Sequence, residues 1–140
     1  DAEGYLVNLF NNPVIVGLAK QLDSASLTQR VIANNVANVN TPGFKKSYVS
    51  FQDELRRALD TGAPALNTTN PRHIGGKADI DQVSPRVVQE SGTTMLYGQN
   101  NVDIDQEMVN LAANSITYDF SAATLSGKLG LLSYVIKGGR

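Results

Sequence analysis

Two segments of the chain repeat apolar and small residues at alternating spacings of three and four. The first lies near the N-terminus, and its repeating positions are Ile15, Leu18, Leu22, Ala25, Gln29, Ile32, Val36 and Val39. The second closes the chain with Ile104, Met108, Leu111, Ser115, Tyr118, Ala122, Leu125, Leu129, Leu132 and Ile136. This spacing is typical of the buried seam of a coiled coil. The pattern predicts a mainly α fold, in which long N- and C-terminal helices pack as an antiparallel coiled coil.

The C-terminal segment has a second stripe with the same spacing beside the first. It consists of Val109, Ala113, Ile116, Phe120, Ala123, Gly127 and Leu131. A helix that is apolar around much of its circumference is normally buried in something. The N-terminal helix can cover one side only, so we expect other copies or partners to cover the rest. An antiparallel two-helix coiled coil in a soluble dimer is the alternative, but it explains one stripe and not the second.

The ends of both helices have recognisable signals. Asn34, Asn35 and Asn38 are poor helix formers, but their amides can hydrogen-bond to several neighbours. Residues 41–44, Thr-Pro-Gly-Phe, end the first helix, and Pro-Gly suits the central positions of a type II turn. Asp103 is the expected N-cap of the second helix, with the residue three positions on as its reciprocal capping partner.

The middle of the chain is polar and rich in turn-forming residues. Residues 45–50 are expected to be extended, and Ser50 to cap a short helix. Residues 63–83 contain Pro and Gly with few aliphatic side chains, which indicates a loop or a disordered segment. Residues 86–90 and 93–97 are predicted to pair as a β-hairpin, which gives a small irregular, β-containing middle segment.

Composition excludes several classes of function. The chain has 140 residues, a net charge of −1 and no cysteine, which excludes disulfides and thiolate metal sites. Basic and acidic residues are mixed, so the sequence has no electrostatic footprint for nucleic acid or an anionic membrane. Residues 14–19 are too short an apolar run for a signal peptide or a membrane span. We therefore expect synthesis in the cytoplasm and, if the protein works elsewhere, export without a cleaved signal peptide.

The sequence shows no active site. His73 could in principle join Ser84 and Asp79 or Asp81 in a hydrolase arrangement, but these residues lie in a segment without a rigid frame. Residues 75–77, Gly-Gly-Lys, lack the rest of a phosphate-binding loop. We predict no catalytic residue, no cofactor site and no metal site, so the protein is not expected to be an enzyme.

Three runs of the sequence resemble the bacterial flagellar axial proteins, the family of rod, hook and hook-associated subunits. Residues 30–45 closely resemble the N-terminal signature of that family. Residues 66–74 and 100–108 are similar to motifs of its short rod subunits. The short length excludes the long distal rod and hook proteins, whose middle domains are much larger. The short rod protein FlgC is one alternative, and a soluble two-helix adaptor or chaperone-like binding module that merely shares the heptads is another.

The resemblance implies a structural subunit of the proximal rod within the periplasm, exported through the flagellar type III apparatus. Its implied partners are other copies of itself, other proximal rod proteins, the rod-base adaptor FliE and the export gate. Nucleic acid and small-molecule substrates are not implied. The terminal helices would form the inner tube around the export channel, which accounts for the second apolar stripe.

These considerations divide the chain into three parts. Residues 1–13 are an N-terminal extension, residues 14–40 and 102–137 form the coiled-coil domain, and residues 41–101 are the middle segment. The residues expected at subunit interfaces are Asn34, Asn35, Asn38, Ile32, Val36, Leu111, Ile116, Phe120, Leu125, Leu129 and Leu132. Thr41, Pro42 and Gly43 form the predicted turn. Phe51 and Leu55 resemble the phenylalanine-containing element that early flagellar substrates present to the export gate, and are the candidate export signal.

Overall fold

The computed structural model describes residues 12–60, 80–92 and 100–138. Two long helices, α1 (Pro13–Ala37) and α3 (Ile104–Ile136), pack against each other in antiparallel orientation. Between them in sequence lie the strand β1 (Ser47–Ser50), the short helix α2 (Gln52–Asp60), a 3-10 turn (Ile80–Gln82) and the strand β2 (Arg86–Gln89). The predicted mainly helical fold with long terminal helices is therefore confirmed.

Helix α1 begins and ends at the signals present in its sequence. The side chain of Asn12 accepts a hydrogen bond from the N–H of Val14 at 2.9 Å, and Pro13 occupies the first helical position, where its missing N–H costs nothing. After Ala37 the N–H of Phe44 donates to the carbonyl of Thr41 at 3.3 Å, and Gly43 has a φ of 73°. These features confirm the predicted type II turn, since its third position requires positive φ.

Helix α3 is capped by Asp103, as predicted. The carboxylate of Asp103 accepts hydrogen bonds from the N–H groups of Asp105 at 3.0 Å and Gln106 at 3.2 Å. The predicted role of Gln106 as the reciprocal capping partner is wrong, however. Its side chain donates to Asn110 at 3.0 Å instead. Side-chain amides four residues apart on a helix surface can hydrogen-bond to each other, so this pair satisfies the Gln106 amide in place of the capping bond.

The two strands form an antiparallel pair in which Ser47 lies opposite Gln89 and Ser50 opposite Arg86. The segments predicted to be extended at 45–50 and 86–90 are thus both strands, and the sequence had assigned no partner to the first. The strand at 86–89 pairs with β1, which is distant in sequence, and residues 93–97 lie outside the described residues. Two four-residue strands contain too little alternation to specify a register or a partner by themselves.

The short helix begins one residue later than predicted. Ser50 belongs to β1, and Phe51 occupies the position before α2, where its carbonyl accepts from the N–H of Leu55 at 2.9 Å. Of the predicted loop at 63–83, residues 63–79 lie outside the described part, and the 3-10 turn follows them. The ammonium of Lys20 on α1 donates to the carbonyls of Asp81 and Val83, at 2.6 Å each, and so holds that turn against α1.

The apolar core is small and lies where α1 meets β1 and the start of α3. In the described ranges, six apolar side chains are buried: Ala25, Val31, Ile32, Phe51, Val83 and Val102. None of them lies within α3 itself, since Val102 precedes its N-cap. Among the described helices, none is long and apolar enough to cross a membrane. The buried core therefore lies at one end of the fold, and α3 extends from it with much of its surface exposed.

Candidate functional site: the helix junction and the exposed face of α3

Asn35 connects three elements at the junction. It is 1% exposed, and its Nδ2 donates to the carbonyl of Ser47 on β1 at 2.8 Å and to Glu107 Oε2 on α3 at 3.1 Å. Its Oδ1 accepts from the N–H of Ser47 at 3.0 Å. Glu107 is buried and Ser47 is half-buried, so removing the amide would leave these groups without this partner, at a cost of about 1–3 kcal/mol for a fully buried group.

Asn100 and Asn101 fasten the turn after α1 to the start of α3. The Oδ1 of Asn101 accepts from the N–H of Lys46 at 2.6 Å. The Nδ2 of Asn100 lies within hydrogen-bonding distance of three carbonyl oxygens of the turn, those of Asn38 (2.8 Å), Val39 (2.9 Å) and Thr41 (2.8 Å). Sequence reasoning did not identify these two asparagines as junction residues. The feature of the sequence that could have identified them is two adjacent asparagines just before a helix N-cap.

The side of α3 that faces α1 is small and polar rather than aliphatic. Glu107 and Ser121 are buried on this side, with Asn114 and Thr117 half-buried between them. The Nδ2 of Asn114 donates to the carbonyl of Ala25 on α1 at 2.9 Å. Hydrogen-bonding groups can pair across a close helix contact without large side chains. This stripe therefore shows no apolar pattern in the sequence.

The predicted seam of α3 is therefore correct only in part. Within one chain Leu111, Ala122, Leu125 and Leu132 are half-buried, as that seam requires. Its other large residues stay exposed: Ile104, Met108, Tyr118, Leu129 and Ile136. The true contact with α1 lies to one side of the predicted seam, because polar and small side chains make it.

None of the described residues covers the second apolar stripe of α3. Ile116 is 71% exposed and Phe120 is 70% exposed, and Val109 and Leu131 are likewise mostly exposed. At 100° per residue these four side chains lie within about 60° of one another around the helix, and they form what we call the open face of α3. Large apolar side chains exposed along one side of a helix are typical of a protein interaction site.

The residues predicted at subunit interfaces fall into two groups. Asn35 and Ile32 are buried inside the single chain, and the three hydrogen bonds of Asn35 described above all stay within it. The others are at least partly accessible to a neighbouring subunit. Four are exposed and five are half-buried: Asn34, Ile116, Phe120 and Leu129 are exposed, and Asn38, Val36, Leu111, Leu125 and Leu132 are half-buried. The amide of Asn38 donates to the carbonyl of Asn34 at 2.8 Å, one turn earlier in its own helix. Contact of this second group with neighbouring subunits stays a prediction.

The candidate export residues are packed in the folded chain. Phe51 is fully buried and Leu55 is half-buried, whereas Leu59 further along α2 is exposed. Packing alone is therefore sufficient to explain Phe51 in the folded state. An export role would apply to the unfolded chain, and it stays a prediction.

The described residues contain no arrangement that indicates catalysis. They include no group of three or more His, Asp or Glu side chains that could hold a metal ion. Ser84 and Asp81 are exposed, while His73 and Asp79, the other members of the weak hydrolase arrangement, lie outside the described residues. The chemistry that the molecule offers is that of hydrogen-bonded amides at the junction and an apolar surface along α3.

Comparison with known proteins agrees with this picture of an assembling helical protein. A family model described as "Flagella basal body rod protein" matches residues 22–45, which include the junction asparagine and the turn. The chain is 35% identical to the flagellar basal body rod protein FlgB of Bacillus subtilis over 96% of its length and 100% of that protein's. It is 38% identical to FlgB of Borreliella burgdorferi over 71% of this chain and 77% of that one. With FlgB of Salmonella typhimurium it shares 30% identity over 79% of this chain and 83% of the relative. The chain belongs to the FlgB family of flagellar basal body rod proteins.

Proposed function

We propose that the protein is a structural subunit of the proximal rod of the bacterial flagellum and that it is not an enzyme. The observation that carries this proposal is the open face of α3, which the described residues of a single chain leave uncovered along most of a helix about 50 Å long. Burying one large apolar side chain contributes about 1.5–3 kcal/mol. With Val109, Ile116, Phe120 and Leu131 all exposed, subunit contact on this face has a substantial driving force.

The finer parts of the proposal follow from the resemblance and from family membership. The subunit is exported through the flagellar type III apparatus, without a cleaved signal peptide, and assembles within the periplasm. Its neighbours are other copies of itself, other proximal rod proteins and the rod-base adaptor FliE. In the assembled rod the open face of α3 packs against the terminal helices of these neighbours, so that α1 and α3 become part of the wall of the export channel.

The test is to place a carboxylate on the open face. Ile116→Asp and Phe120→Asp remove an apolar contact and bury a charge if the face is packed, which costs several kcal/mol. Cells carrying either variant in place of the native chain should lack rods in electron cryotomograms and should not swim. Ser84→Asp, at an exposed position outside α3, is the matched control and should assemble normally.

The same experiment separates the proposal from a soluble two-helix adaptor. An adaptor of that kind would be a stable folded dimer in solution, and it would not be found within the rod. Normal rods and normal swimming with both Ile116→Asp and Phe120→Asp would contradict the structural role proposed for this face.

A further inference from the structure

A groove of about 440 Å³ runs along α1 between β1 and the first half of α3. Its wall on the α3 side includes Glu107, Asn110 and Ala113, and the buried ring of Phe51 lies on the other side. A volume of this size accommodates a few side chains rather than a whole helix. The groove is therefore suited to side chains that project from the surface of a neighbouring molecule.

Glu107 gives one end of this groove a distinctive charge. It is 3% exposed, and the structure supplies its carboxylate with the neutral amide of Asn35 as a donor. Among the described residues no cation lies within ion-pair distance of it, since the nearby ammonium of Lys46 pairs with Glu90 at 3.3 Å. A buried carboxylate without a cationic partner is costly, and a guanidinium entering from outside would offset that cost.

The opposite face of α1 offers such a cation on a surface that allows close approach. At 100° per residue, Arg30 points away from the groove-lining positions Ala25, Thr28 and Ile32. Arg30 is exposed and makes no ion pair or hydrogen bond with the described residues. Small or short exposed residues recur along this face at spacings of three and four, and Arg30 also borders a second pocket with Leu27, Asn34 and Val87. The small or short residues are Ala19, Asp23, Ser26, Ala33 and Ala37. We call this stripe, with Arg30 at its centre, the back of α1.

We propose that the back of α1 of one copy of this chain docks against the groove of the next copy, with Arg30 pairing with Glu107. This inference rests on the proposed function, because it names one contact between copies within the rod. The two surfaces lie on opposite sides of α1, so the contact is heterologous and can be repeated from copy to copy. Arg30 and the Asn35 that holds Glu107 are five residues apart, about 7.5 Å along α1. With the α1 helices of successive copies parallel, the contact would displace each copy by this distance along the axis and produce a helical rather than a flat arrangement.

A charge-removal cycle tests the pairing. Arg30→Ala removes an exposed side chain, and Glu107→Gln keeps an acceptor for Asn35 while removing the charge. Interfacial charge pairs have coupling energies large enough for each single variant to lower the number of assembled rods by about tenfold or more. The double variant should be no worse than either single variant, because the same interaction is lost only once. Normal assembly of both single variants, or additive losses in the double variant, would overturn the pairing.

Disulfide mapping tests the docking geometry, because the native chain contains no cysteine. In Ser26→Cys/Asn110→Cys, the body of α1 separates the two positions within a chain, so oxidation of isolated basal bodies should give a ladder of linked copies. Asp23→Cys/Ala113→Cys is the second pair, for use if the first disturbs assembly. Asn110→Cys/Leu131→Cys is the control, since about 30 Å of helix separates its cysteines.

The outcomes distinguish this inference from the proposed function. A ladder from either of the first two pairs, and none from the control, supports the docking. A ladder from the control instead would mean that the end of α3 of another copy occupies the groove. That result, or assembled rods without any ladder, would overturn the inference. The structural role proposed for the protein would not be affected by that result, because Ile116→Asp and Phe120→Asp test it separately.

Discussion

The side-chain amide of Asn35 makes the two hydrogen bonds to Ser47 that a neighbouring β-strand would make. It donates to the carbonyl at 2.8 Å and accepts from the N–H at 3.0 Å. The N–H of Glu90 donates to the carbonyl of Lys46, so alternate residues of β1 bond to β2 and Ser47 faces the other way. A helical asparagine thus closes one edge of the small sheet and fixes α1 against it.

Replacing Asn35 should make rod assembly sensitive to temperature. Asn35→Ala leaves the N–H and carbonyl of Ser47 and the carboxylate of Glu107 without this partner, at about 1–3 kcal/mol for each buried group. We expect rods to form at low temperature and to be lost at raised temperature, measured by swimming and by counting basal bodies. Asn40→Ala, five residues away and exposed in the turn after α1, is the control. Equal behaviour of the two variants would show that the junction does not depend on the Asn35 amide.

The turn after α1 should require glycine at its third position. Gly43 has a φ of 73°, a left-handed conformation that costs a residue with a side chain about 1–2 kcal/mol. Gly43→Ala should lower the temperature at which rods survive in isolated basal bodies. Gly92→Ala is the matched control, because Gly92 has no positive φ and open space around its Cβ position. If Gly43→Ala were as stable as the control, the turn would not be under this constraint.

Phe51 and Leu55 should be needed for export if the gate reads them in the unfolded chain. Burial of Phe51 in the folded state does not hide it at that stage, and a short apolar pair is suited to a groove on a receptor. The Phe51→Ala/Leu55→Ala variant should therefore accumulate in the cytoplasm, as measured by fractionation. Leu59→Ala, on the same helix and exposed, should be exported normally.

The opposite result has an equally clear meaning. Removing a buried phenyl ring costs about 3–5 kcal/mol, so a purely structural Phe51 would give a protein that is exported but not incorporated into rods. Recovery of the double variant in the periplasm would rule out the export role for these two residues.

The long helices and the turn between α1 and β1 could be predicted because local signals specify them. Apolar spacing indicated both helices, Asp103 marked the start of α3, and Pro42-Gly43 specified the turn. The exposed second stripe of α3 was likewise predictable, since the N-terminal helix can cover one side only and the polar middle segment has few aliphatic side chains to cover the rest. These features depend on residues close together in sequence.

The junction could not be predicted because its contacts join residues far apart in sequence. Asn35 was expected to bond to another subunit, yet its amide is satisfied by Ser47 and Glu107 of its own chain. The contact between α1 and α3 was assigned to the aliphatic seam, whereas Asn114 and Ser121 lie in it. In a sequence, polar side chains that are buried in pairs cannot be distinguished from surface residues, because the sequence does not show their partners. The pairing of β1 with β2 was missed for the same reason.

The most direct test of the account is whether neighbouring subunits bury the open face of α3. Because the chain has no cysteine, Ile116→Cys and Phe120→Cys each place a single thiol on that face, and Ser84→Cys places one elsewhere on the surface. Maleimide labelling would be compared between the isolated chain and intact basal bodies. We expect fast labelling of all three thiols in the isolated chain, and strong protection of residues 116 and 120, but not 84, in the rod. Labelling of residues 116 and 120 at the same rate in both states would contradict it.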